Sequence, residues 1–170
     1  MALQESNNTG NDVFVAFYGA NWVAQTFQAA SSYNISSVKL ELYRVGSPGT
    51  ITVSIRATSA GEPSGSDLTS GTFNGNNLTV DTAGEFAEFT LTPLALVSGT
   101  TYAIVVRATA GDLSNNGNHT GTSTDTEANG AYYTSADSGG TWTASLVMLD
   151  SMFENYGSVA SGGGIGVFFM

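Results

Sequence analysis

The sequence predicts an all-β protein, an antiparallel β-sandwich of jelly-roll-like type. Three observations carry this: two-residue hydrophobic alternation, turn-forming punctuation at short spacing, and no stretch with a capped helical stripe. Val38, Leu40 and Leu42 alternate with Lys39, Glu41 and Tyr43. Ile51, Val53, Ile55 and Ala57 alternate with Thr52, Ser54, Arg56 and Thr58. That period belongs to a strand with one face buried. Further strands are expected over residues 22–28, 85–91, 101–108, 131–134 and 145–153. Gly46-Ser47-Pro48-Gly49, Glu62-Pro63-Ser64-Gly65, Asn74-Gly75-Asn76-Asn77 and Ser98-Gly99 read as the turns between strands. Many short strands separated in this way pack as two sheets. One sandwich domain is expected over 1–157, followed by a Gly-rich hinge and apolar tail over 158–170. The stretch 111–130 is the longest without a strand pattern and reads as a loop.

Composition narrows the function. A chain of 170 residues can bury one real core. Charged residues make up 11%, against about 25% in ordinary soluble domains, so Ser, Thr, Asn and Gly supply the polarity. Lys39, Arg44, Arg56 and Arg107 face fourteen carboxylates, a net charge of −10. Phosphate recognition needs a basic surface, so nucleic acid is excluded as a partner and anionic membranes are disfavoured. The absence of cysteine removes any disulfide framework or thiolate metal site. No window stays apolar for the ~18 residues of a spanning helix. The start, Met1-Ala2-Leu3-Gln4-Glu5-Ser6, lacks a signal-peptide pattern, although the Lys-poor composition is that of exported proteins. Two origins fit: a domain of a longer secreted protein, or a virion protein made in the cytosol and released by lysis.

Several segments occur in an order similar to that of a known domain. They are Ala24-Gln25-Thr26-Phe27, Ile35-Ser36-Ser37-Val38 leading to Leu42, then Gly46-Ser47-Pro48-Gly49 before Ile51-Thr52-Val53-Ser54-Ile55. Pro63-Ser64-Gly65, Gly99-Thr100-Thr101-Tyr102-Ala103, Tyr133-Thr134-Ser135 to Trp142, and Phe153-Glu154-Asn155-Tyr156-Gly157 complete the set. Over roughly 20–157 the chain resembles the choice-of-anchor type β-sandwich domain of bacterial surface proteins and phage structural proteins. The resemblance implies adhesion, display or carbohydrate contact without catalysis.

Ser135-Ala136-Asp137-Ser138-Gly139-Gly140-Thr141-Trp142 looks like a single Asp-box, a structural hairpin turn. In it Asp137 accepts backbone amides, Gly139 takes a positive φ and Trp142 packs beneath. Asp112, Ser114 and Asn116 place oxygens at alternate positions before Gly117, like the opening of a calcium loop. Ser123 stands where a bidentate Glu belongs, with Asp125 and Glu127 nearby as substitutes. Calcium is therefore the one ion the sequence leaves open, beside the reading of a plain Asn-rich loop. His119, the only histidine, reads as a solvated loop residue; no triad or histidine zinc site can be built around it. The pairs Glu85/Glu88 and Asp125/Glu127 could serve hydrolysis but read as surface charge on so acidic a chain. No enzyme activity and no cofactor are expected.

Tyr132 and Tyr133 are candidate ligand contacts, since adjacent strand residues face opposite ways and one should point outward. The final segment, Gly162-Gly163-Gly164-Ile165-Gly166-Val167-Phe168-Phe169-Met170, joins a glycine hinge to an apolar peptide. It is either the last strand of the sandwich or an arm that docks on a neighbouring subunit through Ile165, Val167, Phe168, Phe169 and Met170. The reading that unites these features is a non-enzymatic virion structural protein: a capsid decoration, fibre or tail component, homo-oligomeric and built to assemble and display. The alternative is an extracellular or cell-surface carbohydrate-binding or adhesion module.

Overall fold

Alternation along the chain becomes two faces in space. The computed structural model describes residues 1–159, and within them 62% of the protein is strand and 2% helix. In chain order the strands are β1 (Ala2–Asn7), β2 (Val13–Phe17), β3 (Trp22–Gln28), β4 (Tyr33–Val45), β5 (Thr50–Ser59) and β6 (Glu62–Asn74). A single 3₁₀ turn (Gly75–Asn77) precedes β7 (Glu85–Leu96), β8 (Thr101–Arg107), β9 (Asn116–Thr122), β10 (Tyr132–Ser135), β11 (Thr143–Ala144), β12 (Asp150–Ser151) and β13 (Phe153–Val159).

Two antiparallel sheets pack against each other as an all-β sandwich. The six-stranded sheet runs β11-β10-β3-β8-β5-β6. In the seven-stranded sheet β4 is central: β7 lies on one edge, and β13 and then β9 pair along the other, backed by β1 and β2. One core fills the space between. Val23 and Phe27 of β3, Ile51, Val53 and Ile55 of β5, and Ile104 and Val106 of β8 meet Ile35, Val38, Leu40 and Leu42 of β4, with Phe89 and Phe153. The residues that gave the period-two pattern in the sequence are therefore the inner rows of the sandwich.

Several sequence expectations are corrected. Strand β6 begins at Glu62, where a turn was expected; the chain reverses at Ala60-Gly61, both at positive φ, as a two-residue hairpin requires. The stretch 145–153 is not one strand. It breaks at Met152, whose N–H donates to Thr120 (2.9 Å) and whose carbonyl accepts from Glu41 (3.3 Å), as the chain passes from beside β9 into the seam between β1 and β4. The last strand continues to Val159, two residues into the segment read as hinge.

The largest correction is β9. Residues 111–130 read as a loop, yet Asn116–Thr122 is a strand with all seven residues buried. Its Asn, Gly and Thr residues carry little strand propensity, but neighbours on both edges satisfy its backbone. Gly117 is required there: any Cβ would run into the Phe17 ring. His119, on the same inner row, is fully buried rather than solvated.

Candidate functional site

The outer face of the six-stranded sheet departs from the usual polar surface. Alternation on β3 and β8 points Ala24, Ala103 and Val105 outward, yet all three are buried, because Trp22, Tyr133 and Trp142 lie over them. The guanidinium groups of Arg56 and Arg107 sit 5.5 and 4.9 Å from the Trp22 ring, within cation–π range. Both are also held by Asp67, at 2.8 and 2.6 Å, and Arg107 donates to Ser54 at 2.9 Å. Burial pushes the Asp67 carboxyl upward, but hydrogen bonds from Arg56 and Arg107 outweigh it and hold its pKa below the ordinary range. Asp67 reaches them because β6 carries extra residues opposite Arg56, where the register jumps from Ile55↔Thr69 to Ala57↔Ser64.

Onto this face folds the turn over residues 135–142. Asp137 accepts from the Thr141 amide, the Ser135 hydroxyl and the Thr141 hydroxyl, each at 2.8 Å. Those bonds, the Thr141 amide first, hold its pKa down at about 2. Ser135 in turn accepts the Gly139 amide at 2.9 Å. Gly139 has φ +80° and lies against Trp22 and Trp142, so it meets both demands that exclude a side chain. Trp142 is half-buried rather than buried. Since full burial of a tryptophan sets a ceiling of about 3–5 kcal/mol, Trp142→Ala is expected to cost roughly 1–3 kcal/mol. A chemical-denaturation midpoint unchanged from the parent would exclude that packing role.

The turn divides two clefts. One, of about 410 Å³, is lined by Tyr18, Asn21, Trp22, Leu113, Thr134 and Thr143 among others. The second, of about 540 Å³, lies between Gly140, Thr141 and Trp142 on one side and Ser59, Ala60, Glu62 and Ser64 of the β5–β6 hairpin on the other. Tyr133 stands on the same outer face, near Gly61 of the hairpin tip. Its phenol pKa is raised, by burial first and then by the charge of Glu62.

Of the two tyrosines expected as ligand contacts, only Tyr133 is reachable. Tyr132 is 1% exposed and points between the sheets at His119. The His119 Nε2 lies 3.3 Å from the Met152 carbonyl, and its Nδ1 lies 3.3 Å from the Tyr132 hydroxyl. A carbonyl only accepts, so Nε2 carries the proton and Nδ1 accepts from Tyr132. Burial lowers the imidazole pKa to about 4, against a smaller opposing effect of the Met152 carbonyl.

The calcium ligand set is not assembled. Strand β9 separates Asp112 and Ser114 from Asp125 and Glu127, and seven strand residues span about 20 Å. Asp112 accepts from Ser114 N (2.8 Å) and Asn115 Nδ2 (3.0 Å), closing its own hairpin. Asn116 donates to Leu113 O and accepts from Asn118. Among the described residues no group of three or more His, Asp or Glu side chains is placed to hold a metal ion.

Of the two carboxylate pairs, Glu85/Glu88 is split across the strand, whereas Asp125 lies close enough to Glu127 for its charge to add to the rise in the Glu127 pKa. Glu85 and Glu88 lie three apart on β7 and so face opposite ways, Glu85 accepting from Thr79 N at 2.7 Å. Glu127 is half-buried in a loop whose amides bind Asp150; burial, then the charge of Asp150, raises its pKa. Sequence reasoning missed Asp67 and Asp150. The repeated Arg-Ala-Thr at 56–58 and 107–109 was the signal for Asp67, since it puts two outward cations on neighbouring strands. Ile165, Val167, Phe168, Phe169 and Met170 lie outside the described residues. Comparison with protein-family models and with curated proteins finds no match to this chain.

Proposed function

We propose that this chain is a non-enzymatic structural protein of a virion, a capsid decoration, fibre or tail component that acts by assembly and surface display. The observation that carries the reading is how the polar groups of the sandwich are used. His119, the one side chain that ordinarily titrates near neutrality, is sealed between the sheets with a pKa near 4. Asp150 and Gln25 bond each other and nearby backbone, and Asp67 clamps two arginines. These groups hold a scaffold, while the outer face and the apolar peptide 165–170 supply surfaces for partners. The resemblance to choice-of-anchor domains, with their place in phage structural and bacterial surface proteins, agrees with this role. In this reading the glycines at 162–164 are the hinge of a docking arm, and the arm adds as a strand to an open edge of a neighbouring subunit.

Deleting residues 161–170 tests it. The truncated chain is expected to keep the parent's melting temperature and far-ultraviolet dichroism while losing self-association by analytical ultracentrifugation. Outright unfolding would make the segment part of the sandwich and remove the assembly reading. The second reading, an extracellular carbohydrate-binding or adhesion module, is favoured by one specific observation: three aromatic side chains gathered on an outer sheet face beside open clefts.

A further inference from the structure

The geometry points to a neutral-saccharide site in the cleft between the 135–142 turn and the β5–β6 hairpin, with Trp142 and Glu62 as its main contacts. This goes beyond the assembly role and rests on the carbohydrate-binding reading. At about 540 Å³ the cleft lies within the range of small-ligand sites, roughly 300–1,000 Å³. A sugar ring presents a C–H face and a rim of hydroxyls. Trp142 offers the aromatic surface for the first. For the second, the Glu62 carboxylate is an acceptor able to take two hydroxyls at once, and Ser59, Ser64 and Thr141 both donate and accept.

The walls are set before any ligand arrives. One is the turn locked by Asp137, and the other is a two-residue hairpin. Among the described residues, two non-glycine side chains sit at positive φ, Ala60 (50°) and Ser138 (61°), and they belong to these two walls. Such backbone is costly and persists where the surroundings enforce it, which is typical of sites with a fixed shape. Charge selects the class of sugar. The cleft lining contains no cation, the nearby Arg56 and Arg107 are bound by Asp67, and Glu62 adds a negative charge to a chain already at −10. Sialylated and sulfated glycans would be repelled.

The test is a glycan array carrying neutral, sialylated and sulfated oligosaccharides, probed with the whole chain. Titration calorimetry of the best-retained glycan follows for the parent, Glu62→Gln and Trp142→Ala. Retention of a neutral glycan is expected, with affinity lowered about tenfold or more by Glu62→Gln at unchanged melting temperature. Trp142→Ala should abolish binding, and the exposed Glu62 position keeps the test valid if that variant fails to fold. Binding of a neutral glycan that Glu62→Gln leaves unchanged would overturn the cleft assignment while sparing the carbohydrate reading. Preference for acidic glycans would overturn the ligand class. Retention of no glycan at all would remove the carbohydrate reading and the site together.

Discussion

Asp150→Ala is expected to lower stability by about 3–5 kcal/mol, because the fold leans on this one carboxylate from several directions. The carboxylate is fully buried. Its Oδ1 accepts from Gln25 Nε2 at 3.0 Å, and its Oδ2 from the amides of Thr126 (2.7 Å) and Glu127 (2.8 Å). Gln25 in turn accepts the Ser151 amide at 2.7 Å. One side chain thus ties β3 of one sheet to β12 of the other and pins the loop that leads into β10. Alanine would remove the acceptor of one Gln25 N–H, which would keep only its bond to the Thr26 carbonyl at 3.0 Å, and of the Thr126 and Glu127 amides. Each donor left unsatisfied in a buried place costs roughly 1–3 kcal/mol. Urea unfolding should show a lower midpoint with the slope preserved. A variant within about 1 kcal/mol of the parent would mean that water replaces the carboxylate at no cost.

Acid should destabilise the sandwich through His119 before the carboxylates contribute. In the folded protein the imidazole stays neutral down to about pH 4, because it is buried without a counter-charge. The unfolded chain takes up that proton near pH 6.5. Between these values the unfolded state binds more protons, so stability rises with pH across the window and falls as pH drops from 6.5 towards 4. The full loss is about 3 kcal/mol, since each pKa unit corresponds to 1.36 kcal/mol. Unfolding free energies at pH 7 and pH 4.5 check it. His119→Gln, which keeps a donor for the Met152 carbonyl, should be less stable at pH 7 yet lose this slope. A parent protein equally stable at both pH values would show that the ring reaches solvent.

The architecture was legible wherever burial and periodicity agreed. Residues 38–42 and 51–57 alternate because inner positions are mostly apolar and outer ones need not be, and they lie in β4 and β5. The Asp137 turn was legible for a different reason. The bonds made by the Asp137 and Ser135 side chains join residues two to four apart, so the local sequence contains these partners.

What the sequence could not disclose is what depends on neighbours far along the chain. Strand β9 has the composition of a loop; it is a strand because β2, β4 and β12, distant in sequence, satisfy its backbone and bury it. His119 looked solvated for the same reason, and its sealed position follows from the fold of β9 rather than from any adjacent residue. The candidate calcium residues Asp112 and Ser114 lie on one side of β9 and Asp125 and Glu127 on the other, because the segment between them is an extended strand rather than a loop. Asp67, Arg56 and Arg107 meet because of strand order and one register jump. Local sequence, then, decided the strand pattern and the turn chemistry, where the interacting groups lie within a few residues of each other. Tertiary pairing decided which polar residues are buried and which side chains share a cleft, since those energies belong to contacts between segments that only folding brings together.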